Sequence, residues 1–312
     1  MSARRPFRFG VQASTAADAA SWVALARKIE SLGYSTLTMP DHFDDQLAPV
    51  PALMAAAVAT ETLRVGALVW DNDYRHPIVL AKELATLDVL SNGRLEIGLG
   101  AGWLATDYGK SGIVYDSSNV RVDRFEEGLA VIKGALSGEA FSFAGHHYTI
   151  TEYTGSPRPA QSPRPPILIG AGGRRMLSIA AREADIVGIN GTLTAGVVGP
   201  EAIATMTAAA VDDKVAVVGD AAGARFSQIE LNVRAFIVRV TDERRAVMDQ
   251  IAGFVQADPS LVEDSPFALI GTTPQLVDDL LRRRERWGIS YVIVGGDDVE
   301  VFAPVVAELA GR

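Results

Sequence analysis

Residues Leu87 to Trp103, LDVLSNGRLEIGLGAGW, carry the pattern that decides the fold of this chain. A helix-like apolar run ends at the turn Asn92-Gly93, and a short apolar strand follows and opens into Gly98, Gly100 and Gly102. Alternating glycines leave the strand end almost without side chains, so a flat ligand can lie directly against the backbone. The glycines are also explained without a ligand, because they let a helix pack close to a strand.

The glycine spacing argues against a Rossmann dinucleotide-binding loop. The G-x-G-x-x-G motif needs its last glycine three residues after the second one, and this chain has Trp103 there. A second glycine-rich stretch, IGAGGRRM at Ile169 to Met176, fails in the same way, with Arg175 at that position. The chain also lacks a P-loop and a G-x-S-x-G motif, which argues against nucleoside-triphosphate chemistry and acyl transfer.

Strand and helix patterns alternate along all 312 residues and predict an α/β fold. Eight strand-like runs favour closure into a (β/α)8 TIM barrel that forms one domain, residues 1–312. These runs lie at residues 7–12, 36–39, 64–69, 95–99, 167–169, 186–189, 229–240 and 291–294.

Two segments interrupt the alternation and are predicted to be insertions. Residues 138–166, after the fourth strand, contain a hairpin-like run (FSFAGHHYTI) followed by a proline-rich extended segment. Residues 191–226, after the sixth strand, have weak periodicity, which predicts a long loop that acts as a lid.

Composition excludes several classes of protein. The formal net charge of −9, without a basic face, argues against a nucleic-acid partner. No apolar run reaches the roughly 18 residues of a membrane span. No secretory h-region follows the N-terminus, so we expect a cytoplasmic protein. The absence of cysteine excludes disulfides and cysteine nucleophiles, and no metal site is predicted.

Candidate catalytic residues follow the second strand, because a TIM barrel places its active site at the carboxyl ends of the strands. Histidine is the residue type best suited to proton exchange at physiological pH, so His42 is a candidate acid or base. Asp41 precedes it. The alternative is a capping aspartate followed by a surface histidine.

The glycine turn after the fifth strand is a candidate anion site. Its free amides and the positive end of the following helix suit a phosphate, and Arg174 and Arg175 add charged donors. A plain solvated helix start is the alternative. Four aromatic residues near strand ends predict a flat apolar wall for a substrate, or else ordinary core: Trp70, Tyr74, Trp103 and Tyr108.

Taken together, these motifs resemble the bacterial-luciferase-like superfamily, and within it the oxidoreductases that use the deazaflavin coenzyme F420. The resemblance runs from about Phe7 to the C-terminus. It rests on Asp41-His42, RVGALV (64–69), the tract Tyr74-Arg75-His76-Pro77, the segment Leu87 to Trp103, and ILIGAGGRR (167–175).

The resemblance implies a role for each matching residue. His42 would act as acid and base beside the reactive carbon, and Asp41 would contact the deazaflavin. The Leu68–Val69 bond would be a non-prolyl cis peptide that buttresses the ring. The strand end would follow the ring or ribityl chain with Gly98, Gly100, Ala101 and Gly102. The later turn would hold the coenzyme phosphate with Gly170, Ala171, Gly172, Gly173, Arg174 and Arg175.

Three functions remain open from the sequence. The first is hydride transfer between F420 and a small organic substrate. The second is a luciferase-type monooxygenase that uses flavin mononucleotide (FMN), and the third is a coenzyme-binding barrel without catalysis. F420-dependent sugar-phosphate dehydrogenases have a glutamate where this chain has Trp103, so the substrate is expected to be apolar or aromatic. The resemblance also implies a homodimer.

Overall fold

The computed structural model describes residues 5–255 and 262–312, and eight parallel strands in it close into a barrel. The barrel strands are β1 (Arg8–Gln12), β2 (Thr36–Met39), β3 (Arg64–Ala67), β5 (Leu95–Gly100), β8 (Ile167–Ala171), β9 (Ile186–Ile189), β10 (Glu230–Arg234) and β13 (Ile289–Gly295). Each strand pairs with the next along the chain, and β13 pairs with β1 to complete the cylinder. The predicted TIM barrel is confirmed.

Helices alternate with these strands on the outside of the barrel. Their bounds are α1 (Ala19–Ser31), α2 (Pro49–Ala59), α3 (Pro77–Leu90), α4 (Ala105–Ser111), α5 (Ser118–Leu136), α6 (Arg174–Glu183), α7 (Pro200–Ala204), α8 (Ala208–Ala222), α9 (Arg244–Val255), α10 (Thr273–Trp287) and α11 (Val299–Leu309). Short 3₁₀ turns lie at Gly223–Gln228 and Gly296–Asp298. In the described parts of the chain, no helix is both long and apolar enough to cross a bilayer.

The strands are mostly apolar because both of their faces are buried. Every residue of β2, β5 and β9 is buried, with side chains alternating between the barrel interior and the helix layer. A single large core therefore joins the strands to the surrounding helices. This burial explains why the sequence shows short continuous apolar runs rather than alternating strands.

Charged side chains close the barrel at the amino ends of its strands. Arg8 on β1 donates to Glu230 on β10 at 2.7 and 2.8 Å and to Glu96 on β5 at 2.5 Å. Arg64 on β3 also donates to Glu96, at 2.7 Å. The Arg8 guanidinium lies 3.5 Å from the ring centroid of Tyr291 on β13. This network joins five barrel strands at the end opposite to the cavities described below.

The two predicted insertions have different outcomes. The hairpin is confirmed as the antiparallel pair β6 (Ala140–Ala144) and β7 (Thr149–Thr154). The prediction of a long loop at residues 191–226 is wrong from residue 200 onward, where α7 and α8 lie. Thr207 caps α8, and the helix buries Val211, Lys214 and Val218 at helical spacing. The abundance of alanine and glycine weakened this pattern in the sequence.

A further excursion follows the seventh barrel strand, where the sequence predicted one strand at residues 229–240. The run divides into β10 and β11 (Ile237–Val240), and β11 leaves the barrel to pair with β12 (Ala268–Gly271). Helix α9 also belongs to this excursion. The apolar run was continuous through residues 235 and 236, so periodicity alone gave no sign of the break.

The outer faces of α2 and α3 expose apolar side chains. Val58 is 75% exposed, Leu90 58% and Val79 51%. Exposed apolar groups of this size often lie in contacts between chains. The homodimer implied by the resemblance stays a prediction.

Gly98 has a packing role that the sequence did not assign to it. A Cβ atom at Gly98 would collide with the carbonyl oxygen of Ala67 at the end of β3. Gly98 does not line either of the cavities described below. The structure shows a close approach of two strands at Gly98, whereas the alternative offered by the sequence was a helix packed close to a strand. That Gly98 lies along a coenzyme stays a prediction.

The first test concerns this approach. We expect Gly98→Ala to lower the free energy of unfolding by about 2 kcal/mol or more, because backbone atoms must move to accept the methyl group. Gly109→Ala is the matched control, since Gly109 lies within α4 and a Cβ there meets nothing within 4 Å. It should be neutral or stabilising. Urea denaturation of both variants measures the difference, and equal midpoints would contradict the packing role.

Candidate active site

Two adjoining cavities lie at the carboxyl ends of the barrel strands. The first, the glycine-walled cavity, has a volume of about 360 Å³ and is bordered by Gly100, Gly102 and the turn Gly170–Arg175. The second, the apolar cavity, has a volume of about 730 Å³ and is bordered mostly by hydrophobic side chains. Both volumes fall in the range of small-molecule and cofactor sites.

The wall of the first cavity is backbone because side chains do not fit there. A Cβ at Gly100 would lie 2.5 Å from Val69 Cγ2, and one at Gly170 would lie 3.2 Å from Val69 Cγ1. The Leu68–Val69 peptide bond is cis, as the resemblance implied. The Leu68 carbonyl accepts a hydrogen bond of 2.9 Å from Gln12 Nε2. Leu68, Val69, Gly100, Ala101 and Gly102 all border this cavity.

His42 borders both cavities and is held by a buried carboxylate. Its Nδ1 lies 2.7 Å from Asp107 Oδ2, and the Asp107 side chain is only 4% exposed. The Tyr74 hydroxyl donates to the same oxygen at 2.9 Å. Trp103 meets the imidazole edge-on, with ring centroids 5.8 Å apart. Since Nδ1 is engaged, Nε2 is the nitrogen that remains for a ligand.

Asp41 borders the glycine-walled cavity, and its carboxylate is already paired. Arg75 donates to its two oxygens at 2.6 and 3.2 Å, and the Asp71 amide donates at 3.2 Å. The pair neutralises the charge that burial would otherwise penalise. A contact between Asp41 and a coenzyme stays a prediction.

Asp71 is an acidic residue of this cavity that the sequence analysis missed. Burial, with the negative charges of Asp73 and Asp41 nearby, raises the pKa of Asp71 to about 7. The Tyr108 hydroxyl, 3.3 Å from both oxygens, and the Asp73 amide oppose that shift. No motif marked Asp71, because its environment arises from strands distant in sequence.

The turn after β8 offers donors to an anion. Gly172 and Gly173 precede the N-terminus of α6, and both border the glycine-walled cavity. Arg175 also borders the cavity, but its guanidinium pairs at 2.5 Å with both Asp123 and Glu126 on α5. Among the described residues, Arg174 has no acceptor within reach. Arg174 thus replaces Arg175 as the better candidate for a phosphate.

A second arginine faces the same cavity from α5. Arg121 is 4% exposed, and its NH1 donates to the Asp116 carbonyl at 2.5 Å. Its Nε is buried and lacks an acceptor among the described residues. The guanidinium lies 4.3 Å from the ring centroid of Tyr115. Arg121 therefore adds positive charge to the cavity, which sequence spacing did not indicate.

The predicted aromatic wall is mostly wrong. Trp70 is fully buried in the core, and Tyr108 is 1% exposed with its hydroxyl near Asp71 and Asp73. Tyr74 stacks on Phe43 at 4.4 Å between centroids and does not border a cavity. Only Trp103 of the four borders the cavities. Strand-end aromatics are here chiefly core, the alternative that the sequence left open.

The apolar cavity is built largely by residues that the sequence analysis did not select. They come from the segment before α8 and from the excursion after β10: Val198, Pro200, Ile203, Met206, Phe236, Ile237, Ile251, Val262 and Phe267. Phe236 and Val198 are large apolar residues that remain 50% and 61% exposed. An exposed apolar residue beside a cavity indicates a ligand surface, although this signal needs the structure.

Six residues border both cavities: His42, Leu68, Trp103, Asn190, Leu193 and Arg234. The two cavities therefore meet around His42. A planar group against the glycine wall and an apolar molecule in the second cavity would come together at this junction. Within the described parts of the chain, no group of three or more histidine or acidic residues is arranged to hold a metal ion.

Comparisons with known proteins identify relatives of this fold and site. The model of the luciferase-like monooxygenase family matches residues 4–287. An FMNH(2)-dependent dimethylsulfone monooxygenase of Pseudomonas putida is 30% identical over 221 residues, 70% of this chain and 56% of that protein. An F420-dependent glucose-6-phosphate dehydrogenase of Microbacterium testaceum is 29% identical over 226 residues, 69% of this chain and 64% of that protein. The chain thus spans less than two thirds of the length of these relatives.

A solved structure has the same architecture. The coenzyme F420-dependent tetrahydromethanopterin reductase of Methanopyrus kandleri superimposes with a TM-score of 0.76 at 19% identity. The match covers 97% of this chain and 99% of that one. At this identity the likeness shows the fold alone.

The second test concerns Asp71. Its folded-state pKa of about 7 exceeds the unfolded value of about 4, so the folded protein retains a proton that the unfolded chain loses between these pH values. The contribution of the protonated Asp71 carboxyl to the free energy of unfolding is fully present below about pH 4. It is lost as the pH rises through about 7. We expect Asp71→Asn to flatten this part of the pH profile.

The measurement is urea denaturation of wild type and Asp71→Asn from pH 4.5 to 8. Asp44→Asn is the control, because the Asp44 side chain is exposed. It should follow the wild-type profile. If the difference between wild type and Asp71→Asn does not vary with pH, the assigned titration is wrong.

Proposed function

This chain belongs to the luciferase-like monooxygenase family, and from that premise we propose that it exchanges a hydride between coenzyme F420 and an apolar organic substrate. The observation that carries the proposal is the His42–Asp107 pair at the junction of the two cavities. The pair supplies one proton-exchanging nitrogen where a planar coenzyme and an apolar substrate would meet. Hydride transfer to or from a carbonyl or alcohol needs such a group.

The glycine-walled cavity fits the parts of the coenzyme. Val69, Gly100 and Gly170 form a flat wall for a ring system, and a ring fits because these glycines have no side chains. Gly172, Gly173 and Arg174 would hold the phosphate at the start of α6. Bound F420 would supply the carbon that accepts or donates the hydride.

His42 and its neighbours perform the protein's share of the reaction. Asp107 fixes the imidazole so that Nε2 faces the cavities, and the carboxylate stabilises the ring when it takes up a proton. Burial raises the pKa of Tyr74, so its hydroxyl remains protonated and keeps donating to Asp107. Trp103 packs on the edge of His42 and reduces access of water.

The apolar cavity sets the substrate class. Trp103 borders it where the F420-dependent sugar-phosphate enzymes of the resemblance have a glutamate, and an indole cannot exchange a proton. Side chains such as Ile203, Met206 and Phe267 offer no hydrogen-bond partners to a sugar. We therefore propose an apolar substrate rather than a sugar phosphate.

A flavin-dependent monooxygenase is the second candidate. The relative from Pseudomonas putida, an FMNH(2)-dependent dimethylsulfone monooxygenase, supports this alternative. A flavin ring and a phosphate would fit the same wall and the same turn. The two candidates differ in coenzyme preference, which binding measures directly.

The third test is a titration of the purified protein with F420 and with FMN. We expect micromolar or tighter binding of F420 and much weaker binding of FMN, followed by coenzyme fluorescence. Arg174→Ala should weaken F420 binding by about 1.5–3 kcal/mol, because a charged donor to the phosphate is lost.

Arg175→Ala is the matched control for this titration. Its guanidinium is occupied by Asp123 and Glu126, so F420 affinity should change by only a few-fold. Stronger binding of FMN than of F420 would favour the monooxygenase. A large loss in Arg175→Ala without one in Arg174→Ala would restore the role first assigned to Arg175.

The fourth test separates catalysis from coenzyme binding. His42→Ala should lower kcat by about a hundredfold or more and leave coenzyme affinity within a few-fold, as expected for an acid–base group. Asp107→Asn should lower kcat by about tenfold with little change in KM, because the imidazole loses its fixed orientation. Steady-state kinetics on a substrate found by screening measures both effects.

Tyr74→Phe is the control for the fourth test, since it removes a donor to Asp107 and keeps the His42 contact. It should reduce kcat by only a few-fold. Wild-type turnover in His42→Ala would remove the acid–base assignment.

A further inference from the structure

We infer that the apolar cavity binds an organic carboxylate, whose hydrocarbon part fills the cavity and whose anionic group pairs with Arg234. This inference rests on the proposed function, because it names the substrate class of the same site. Arg234 lies at the end of β10 and borders both cavities. No motif in the sequence indicated a role for Arg234.

The charge of the cavity lining is one-sided. Of the described side chains that border the apolar cavity, only Arg234 is permanently charged, and none is an aspartate or glutamate. The remainder are mainly aliphatic or aromatic, including Ile203, Met206 and Phe267. A single cation in an apolar cavity favours a ligand with one anionic group.

Arg234 itself is incompletely paired. Its Nε donates to Gln12 Oε1 at 3.0 Å, and its buried NH1 has no acceptor among the described residues. Asp298 contributes a nearby negative charge but forms no ion pair with it. Burial lowers the pKa of Arg234 to about 10, so the group is still cationic at neutral pH. Burial deprives the guanidinium of hydrating water, and a bound anion would compensate for that loss.

Most of the other polar groups of the cavity already form hydrogen bonds. Ser265 donates to the Met206 carbonyl at 2.7 Å, and the Thr207 hydroxyl accepts from the Ala210 amide at 3.2 Å. Gln12 is shared between Arg234 and the Leu68 carbonyl, and Asn190 accepts from the Gly191 amide through Oδ1. The guanidinium of Arg234 is therefore the group that would pair with an anion, and His42 and Asn190 border the same junction.

The position of Arg234 fixes how such a substrate would lie. Arg234 and His42 both border the junction of the two cavities, so the carboxylate of the substrate would lie close to its reacting carbon. The hydrocarbon part of the substrate would then point away from the glycine wall. Phe236 would line that hydrocarbon part, and its ring centroid lies 5.3 Å from the guanidinium. A guanidinium can hold a carboxylate through two parallel hydrogen bonds, which adds direction to charge.

The fifth test uses octanoate, 1-octanol and octylamine as probes of the protein without coenzyme. Isothermal titration calorimetry should show octanoate binding about ten- to a hundredfold more tightly than 1-octanol, since only the carboxylate pairs with Arg234. Octylamine should bind most weakly. In Arg234→Met, which keeps the length of the side chain, the preference for octanoate over 1-octanol should disappear.

Arg239→Met is the matched control, because Arg239 is exposed on β11 and borders neither cavity. It should keep the octanoate preference. F420 titration of the wild type tests the proposed function separately, because the octanoate preference is measured without coenzyme. Equal binding of octanoate and 1-octanol by the wild type would overturn the inference, and so would an unchanged preference for octanoate in Arg234→Met.

Discussion

The close approach of β3 and β5 is the constraint on which the rest of the site depends. Gly66 and Gly98 lack side chains where each strand meets the other's backbone, at the carbonyls of Glu96 and Ala67. The two strands diverge at their carboxyl ends, and β4 (Trp70–Asp71) pairs with the end of β5 instead. The chain between Ala67 and Trp70 therefore passes across the barrel mouth, which brings Val69 against two glycines.

The position of Asp71 results from this path of the chain. Pairing of Asp71 with Gly100 carries its carboxylate into the cavity, beside Asp41 and Tyr108. Several carboxylates are thus buried within one region, and each has its own partner. Arg75 pairs with Asp41, and His42 with Asp107. Asp71 forms no ion pair among the described residues, and burial is the largest influence on its pKa.

The two cavities have different structural origins. The glycine-walled cavity is formed by the barrel itself, through strand ends and the turn that precedes α6. The apolar cavity depends on the segment before α8 and on the excursion that contains β11 and β12. Under the proposed function, residues of the barrel would bind the coenzyme, and the added segments would select the substrate. Such a division lets one scaffold serve many substrates.

The sequence by itself determined the barrel. Eight buried strands appear as continuous apolar runs that alternate with helices, and this alternation is typical of a closed parallel sheet. It also indicated His42 and the glycine walls, since strand ends in a barrel converge on one mouth. Only the tertiary structure decided which side chains are free. Arg175 is paired and Arg174 is not, Trp70 is core and Trp103 is not, and Asp71 and Arg234 acquire their properties from distant strands. Burial and pairing are properties of contacts between segments far apart in the chain, and a local pattern carries no record of those contacts.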